Sequence, residues 1–463
     1  MKILLTKPVN RSQSIVIPNL GLGYLATALR KDKHEVTILD CVFKKYNLND
    51  FKTYLRENND FDVIGFQVFS CDLNTTRESI KIVRELPKKS VVVVGGPHPS
   101  GAPEHAFNYF FGLTDYLFIG EAEIGLPKLL KYLEGNNLNL KDIPGLVFKE
   151  NGLPKINNKY FHEDIDEFGM VAWDLINPRM YPPFPHGIFV KEFPSAPIMT
   201  SRGCPFLCTF CAASTITGKK IRFRSIDRVM EEIQILVKCY GVKEIHIEDD
   251  NFAFNRQYVL EFCKKLIDNR PNISWSCPNG LRIDSLDFEL LNTMKRAGCY
   301  SIALGIESGS GRILKHMKKD ISENKIKEIT GICQKVGIKV TGFFILGYPS
   351  ENIKDIDKTI KFSRGLDLDR ACFANFFPLP GTTISKEFEK SEETNNIIWD
   401  EYSLNKFTFN HHPYISKTKL RYLQKKATLN FYLRPKILIN ILKEIKSWRH
   451  FCYILKRIKE IFL

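Results

Sequence analysis

No stretch of the 463-residue chain approaches ~18 consecutive apolar residues, so a membrane-spanning helix is not expected. The opening Met1-Lys2-Ile3-Leu4-Leu5-Thr6-Lys7 has too short an apolar run for a secretory leader and reads as a first β-strand. Without a leader, the twelve cysteines are not expected to form a disulfide framework. Nine are scattered singly, as small buried apolar side chains are. Internal repeats and low-complexity tracts are lacking. Acidic residues are scarce in one region. Between His412 and Leu463, thirteen Lys and Arg face only Glu444 and Glu460, a surplus of eleven out of a net +15. An anionic surface is therefore expected as partner for the tail and not for the whole chain.

What is present fits folded domains. The apolar fraction of 44% and charged fraction of 26% are ordinary, and the length suits two or three domains. Strand-like runs fall at Lys2–Thr6, Glu35–Leu39, Val63–Phe69, Val91–Val94 and Tyr116–Ile119. Helical patterns fall at Gly21–Lys31, Thr75–Leu86, Pro103–Phe110 and Ile124–Leu133. Continuous apolar strands such as Val91–Val94 belong in a parallel sheet covered on both faces. The fold class is α/β: a doubly wound, Rossmann-like domain over 1–135, then a connector over 136–190, with Pro178, Pro182, Pro183 and Pro185 near its end. From Ala196 six strands alternate with helices, which predicts a (β/α)6 partial TIM barrel over 191–390. Residues 391–463 form a basic helical C-terminal region.

Straight after the barrel's first strand comes Cys204-Pro205-Phe206-Leu207-Cys208-Thr209-Phe210-Cys211, a CxxxCxxC loop. Three thiolates at this spacing reach three corners of a four-iron cluster and leave the fourth iron open. A structural zinc site wants a fourth ligand nearby, and the next candidates are Cys239 and His246. The loop resembles the signature of the radical S-adenosylmethionine (SAM) superfamily, CxxxCxΦC with an aromatic at Φ, here Phe210. The resemblance extends over about Ala196–Ser385. It implies that Cys204, Cys208 and Cys211 hold a 4Fe–4S cluster whose open iron chelates SAM. One electron then breaks a sulfur–carbon bond to give methionine and a 5′-deoxyadenosyl radical.

Acids and glycines at later strand ends match that superfamily's other marks. The resemblance implies that Glu248, Asp249 and Asp250, after the second strand, receive the methionine amino group. Arg282 follows the third strand, and Glu307 and Ser308 follow the fourth, where a carboxylate can take two ribose hydroxyls. Gly347-Tyr348-Pro349 and Pro378-Leu379-Pro380-Gly381-Thr382 end the fifth and sixth, and turn chemistry accounts for both equally well.

In the N-terminal domain, Gly21-Leu22-Gly23-Tyr24-Leu25-Ala26 has GxGxxA spacing, which invites a dinucleotide reading. That fingerprint needs its glycines directly after the strand, and here about fourteen residues intervene. Leu22, Ser70, the Gly95-Gly96-Pro97-His98 run and the Gly120-Glu121-Ala122-Glu123 run instead resemble cobalamin-binding domains fused to radical enzymes. The resemblance covers Met1–Leu133. Cobalamin mutases and methionine synthase carry DxHxxG in the first loop, whereas this chain has no His between Lys7 and Leu20. The resemblance therefore implies base-off cobalamin with no protein His on cobalt, and makes His98 a pocket residue.

The implied activity is methylation of an unactivated carbon in a small, apolar or lipid-like substrate, with an electron donor such as flavodoxin or ferredoxin. Cyclisation or rearrangement with the same domains stays open. A tRNA-modifying methylthiotransferase fits less well, since it needs three further Cys where this N-terminal domain has Cys41 and Cys71. No nucleic acid partner is expected. The tail places Leu438, Ile441, Leu442, Ile445, Trp448, Cys452, Leu455 and Ile458 at helical spacing among Lys and Arg, the pattern of a helix lying on anionic headgroups. The expected location is cytoplasmic, with peripheral contact to the inner face of the membrane.

Overall fold

The computed structural model describes residues 1–10, 16–182, 190–389, 412–445, 448 and 451. The chain divides into two compact units: Met1–His186, Pro194–Val242 and Pro378–Glu401 form one, and Gly187–Phe193, Lys243–Phe377 and Tyr402–Leu463 the other.

The first unit is built on β1 (Lys2–Lys7), β2 (Glu35–Asp40), β3 (Val63–Gln67), β4 (Val91–Gly95) and β5 (Tyr116–Phe118). These strands are parallel in the order β2-β1-β3-β4-β5. Helices Leu20–Lys31, Leu48–Glu57, Leu73–Arg84, Pro103–Tyr109 and Gly125–Leu133 alternate with them. Two apolar cores, one around Ile64, Phe66 and Val94 and the other around Leu5, Leu29 and Leu129, make the sheet two-sided, as its continuous apolar strands require.

The region expected to be a connector adds two strands. β6 (Leu146–Glu150) and β7 (Leu153–Ile156) form an antiparallel hairpin on the edge at β5. Asn151 and Gly152 both have positive φ (52° and 84°), as the two-residue turn matching strand twist demands. Beyond the hairpin, Val171 and Ile176 pack on the helix Leu20–Lys31. A side-chain carbon on Gly23 would stand 2.5 Å from Val171 Cγ1. A glycine is needed at that place in the GxGxxA run to let the chain pass.

The same unit continues with β8 (Ser195–Ile198) and a two-strand ribbon, β9 (Ser201–Arg202) against β10 (Arg222–Phe223). The ribbon brackets the cysteine loop, and the helix Ile226–Tyr240 follows it.

The second unit holds β11 (Glu244–Ile247), β12 (Ser274–Leu281), β13 (Cys299–Glu307), β14 (Lys339–Leu346) and β15 (Arg370–Asn375). They lie in chain order and parallel, and each is followed by helix. With β8 they complete the six strands of the expected β/α alternation. The helix Lys417–Tyr432 docks on β15: Gln424 Nε2 donates to Phe373 O at 2.8 Å, and Tyr432 Oη to Ala371 O at 2.9 Å. The helix Pro435–Glu444 is tied by Glu444 to Lys339 and, at 3.0 Å, to Arg370. Cys452, Leu455 and Ile458 lie outside the described residues.

Candidate active site

Strand order 2-1-3-4-5 puts a topological switch point between β1 and β3, where open α/β sheets bind ligands at the strands' carboxyl ends. A hydrogen bond crosses that gap. Asn10 Nδ2, after β1, donates to Asp72 Oδ1, after β3, at 2.6 Å, while Phe69 N donates to Asp72 Oδ2 at 3.1 Å. Burial raises the Asp72 carboxyl above its usual value, against the pull of these donors.

Ser70 and His98 are neighbours on this edge. Ser70 Oγ lies 2.9 Å from His98 Nδ1, and His98 Nε2 lies 3.0 Å from His105 Nδ1. Burial, with His105 beside it, lowers His98 to about 3, so the ring is neutral near pH 7. Both its nitrogens are engaged, which fits a pocket residue and not a cobalt ligand. Gly96 (φ 110°) is required by the backbone, since an added carbon would lie 2.8 Å from Val68 N. That close approach lets Pro97 open the short helix that carries His98, whose N donates to Val68 O at 3.1 Å. Gly95 ends β4. Gly120 N donates to Ser100 Oγ at 2.9 Å. The Leu22 side chain is in the apolar core with Ile3, Leu5 and Ala26, and only its backbone serves the edge, capped by Asn19 at 3.1 Å.

Glu121 faces arginines. Its carboxylate takes both terminal nitrogens of Arg222 at 2.7 Å and Arg202 Nη1 at 3.2 Å. Glu123 takes the same Arg202 nitrogen at 2.8 Å. Arg202 also lies over the rings of Tyr24 and Phe168. Although burial opposes its charge, Glu123 and Glu121 hold its pKa above the ordinary value.

The cysteine loop leaves the ribbon at Gly203 (φ 104°), where a side-chain carbon would meet Lys220 O at 2.2 Å. Cys204 N donates to Gly218 O at 3.0 Å, and Cys211 N to Cys208 O at 3.1 Å. Cys204, Cys208 and Phe210 are half-buried and Cys211 is exposed. Among the described residues no three His, Cys, Asp or Glu side chains stand together as a metal-binding group. The backbone is pinned at the loop's ends, the donor set is all thiol, and binding iron would fix the three rotamers. This donor set fits a four-iron cluster. The Pro378–Thr382 segment belongs to the same unit, and Gly381 O accepts from Thr215 Oγ1 at 3.1 Å.

In the second unit, Glu248, Asp249 and Asp250 follow β11, Arg282 follows β12, Glu307 ends β13 and Gly347 follows β14. The parallel sheet brings all of these to one edge. Asp249 is buried, Glu248 half-buried and Asp250 exposed. Arg282 Nε donates to Asp284 Oδ2 at 2.8 Å. Glu307 has φ 62°, rare for a residue with a side chain, and its Oε1 accepts from Lys319 Nζ at 2.6 Å. Gly305 makes room for both: a carbon there would lie 2.5 Å from Lys319 Nζ and 2.6 Å from Glu307 Oε1. Ser308 Oγ is 3.1 Å from Thr359 Oγ1 and anchors the turn to the helix Ile353–Gly365. Glu351 lies deeper: its Oε2 accepts from Gly347 N at 2.7 Å, and burial pushes the carboxyl up to about 8.

Both parts of the chain match known families. A model of the radical SAM superfamily matches residues 198–363, and one of the B12 binding domain matches residues 7–130. An uncharacterized methyltransferase of Pyrococcus horikoshii is 32% identical over 472 residues, covering 99% of this chain and 97% of that protein. This chain belongs to the radical SAM superfamily. It is an enzyme of the cobalamin-dependent branch, in which the B12 binding domain precedes the radical SAM domain. The cytidylyl-2-hydroxyethylphosphonate methyltransferase of Streptomyces wedmorensis is 26% identical over 80% of this chain and 77% of its own length. The fold is that of the cobalamin-dependent SAM radical enzyme OxsB, solved with aqua-cobalamin and SAM: TM-score 0.76, 18% identity, 99% of this chain and 70% of that one.

Sequence reasoning missed Arg202, Arg222, Lys319 and Glu351. Arg202 stood in plain view two residues before Cys204. The carboxylates that hold it are about eighty residues away in sequence, which no local pattern records.

Proposed function

We propose that this radical SAM enzyme methylates an unactivated carbon of a small apolar substrate. The observation that carries the reading is the pairing, in one chain, of a three-cysteine loop with a switch-point edge where the His98 imidazole has both nitrogens taken. When bound, the 4Fe–4S cluster supplies an electron to SAM and cobalamin carries the methyl group. Cys204, Cys208 and Cys211 hold the iron. Glu307 accepts hydrogen bonds from the ribose hydroxyls, and the Lys319 bond aims its carboxylate. The Glu248–Asp250 segment receives the amino group, with Arg282 beside it on the next strand. Ser70, Gly95–His98 and Gly120 line the bed for the corrin. A flavodoxin or ferredoxin is the natural class of one-electron donor.

Both named relatives are methyltransferases, which supports methylation over ring closure. The two outcomes differ in coproducts. Methylation consumes two molecules of SAM, one ending as S-adenosylhomocysteine and one as 5′-deoxyadenosine and methionine. Substrate-dependent release of the two nucleosides in equal amounts is expected by liquid chromatography and mass spectrometry. 5′-Deoxyadenosine without S-adenosylhomocysteine would mean cyclisation or rearrangement.

The apolar substrate and a peripheral membrane contact rest on the tail. The helix Pro435–Glu444 exposes Leu438, Ile439 and Leu442, the last 64% exposed, between Lys436 and Lys443, and Trp448 beyond it is 76% exposed. No helix among the described residues is long and apolar enough to cross a membrane. A surface of this kind is suited to lie in the headgroup layer.

A further inference from the structure

Four buried charges gather at the base of the cysteine loop. Arg202 and Arg222 stand opposite each other on the ribbon that brackets it, and Glu121 and Glu123 reach them from the turn after β5. All four side chains are nine-tenths buried or more. The contacts are short: Glu121 accepts two bonds of 2.7 Å from Arg222, and Arg202 Nη1 is shared between both carboxylates. Burying such groups costs several kcal/mol per ion, so a network of this kind is weak as a source of stability and calls for another use.

Its position supplies one. Arg202 precedes Cys204 by two residues, so their Cα atoms are at most ~7 Å apart. Buried charges next to the loop are screened less by water and salt than exposed ones would be. As built, the two cations and two anions balance. We infer that the Glu121–Glu123 and Arg202–Arg222 network is an electrostatic brace that sets how readily iron held by Cys204, Cys208 and Cys211 accepts an electron. The inference rests on those cysteines being the iron ligands. Reduction by an external flavin or iron–sulfur donor adds one negative charge at the loop. Removing a carboxylate from the brace leaves a cation uncompensated and favours that charge; removing a guanidinium leaves an anion and opposes it. The residues of the brace are positioning residues, since none need touch iron or substrate.

The sign of the effect separates this role from a structural one. The test is redox titration of the reconstituted full chain, followed by electron paramagnetic resonance, on wild type, Glu123→Gln, Arg202→Gln and the double variant. Glu123→Gln is expected to raise the midpoint potential and Arg202→Gln to lower it, each by about tenfold in the reduced-to-oxidised ratio, or ~59 mV for one electron. The double variant is expected to return close to wild type. Shifts of the same sign in both single variants, or none in either, overturn the brace. Should Arg202→Gln fail to take up iron, Glu121→Gln and Glu123→Gln carry the test alone: both must shift upward, and unmoved potentials overturn it. A wild-type chain that shows no iron–sulfur signal overturns the ligand assignment instead.

Discussion

Glu307 holds a left-handed backbone conformation with its carboxylate on Lys319, both side chains more than nine-tenths buried. Strain of that sort persists where the surroundings over-determine it, and it clusters at ligand clamps. Glu307→Gln is expected to weaken SAM binding roughly ten- to a hundredfold, the loss of a charge-assisted hydrogen bond of ~1.5–3 kcal/mol, with iron content unchanged. It also strands Lys319, as Lys319→Met strands Glu307, and each single change should cost about 3–5 kcal/mol of stability, most of it recovered in the double variant. Equilibrium dialysis and thermal unfolding read the two effects separately. Iron loss with unchanged affinity would make Glu307 a structural residue.

His98 carries a pH prediction at the same scale. Its folded value of about 3 lies below the ordinary 6.5, so between them the unfolded chain binds more protons. The stability that neutral, buried His98 contributes is complete above the unfolded value and is lost as pH falls toward the folded one, by roughly 1.4 kcal/mol per pH unit. The gap in melting temperature between wild type and His98→Asn should narrow from pH 7 to pH 5. A constant gap would mean that the ring titrates normally. Residue chemistry of the local kind was legible beforehand: Ser70 and His98 were expected to share a pocket, and they share a hydrogen bond. Glu121 was expected at the corrin edge, and what its carboxylate meets, two arginines from the ribbon, depends on chain folding over long sequence distances.

At the level of elements, strong periodicity was enough. The helices Arg256–Asn269 and Glu323–Val336 and the strand Lys339–Leu346 fall where their apolar spacing puts them. The helix Leu48–Glu57 escaped because only Phe51 and Leu55 mark its buried face, although Asn47 and Asp50 form a capping box. The β6–β7 hairpin had a readable signal in Asn151-Gly152, overlooked because the flanking runs are short and carry Lys and Pro. The tail divides in the same way. Its first helix buries Leu423, Ala427 and Phe431, whereas the second exposes Leu438, Ile439 and Leu442. The full chain is expected to float with anionic vesicles at low salt, and Leu442→Glu, which spares buried Ile437 and the Glu444 ion pairs, to float several-fold less. Equal flotation of the two, or none by wild type, would put that helix in water.

For the whole molecule, the two units divide the work by what their strand ends present. The first carries the switch-point edge and the cysteine loop, and the second carries Glu248, Asp249, Asp250 and Glu307. The alternating βα pattern had set the cysteine loop with the later strands over 191–390, whereas the compact units join Pro194–Val242 to the N-terminal strands. The substrate was not visible, because pocket shape comes from side chains of many elements and leaves no spacing in the sequence. The central claim is that one chain holds one open four-iron cluster and one cobalamin. Metal analysis of the anaerobically reconstituted wild type tests it most directly: about four irons and one cobalt per chain are expected, with iron lost and cobalt retained in Cys208→Ala. About eight irons, or no cobalt retained after gel filtration, would contradict it.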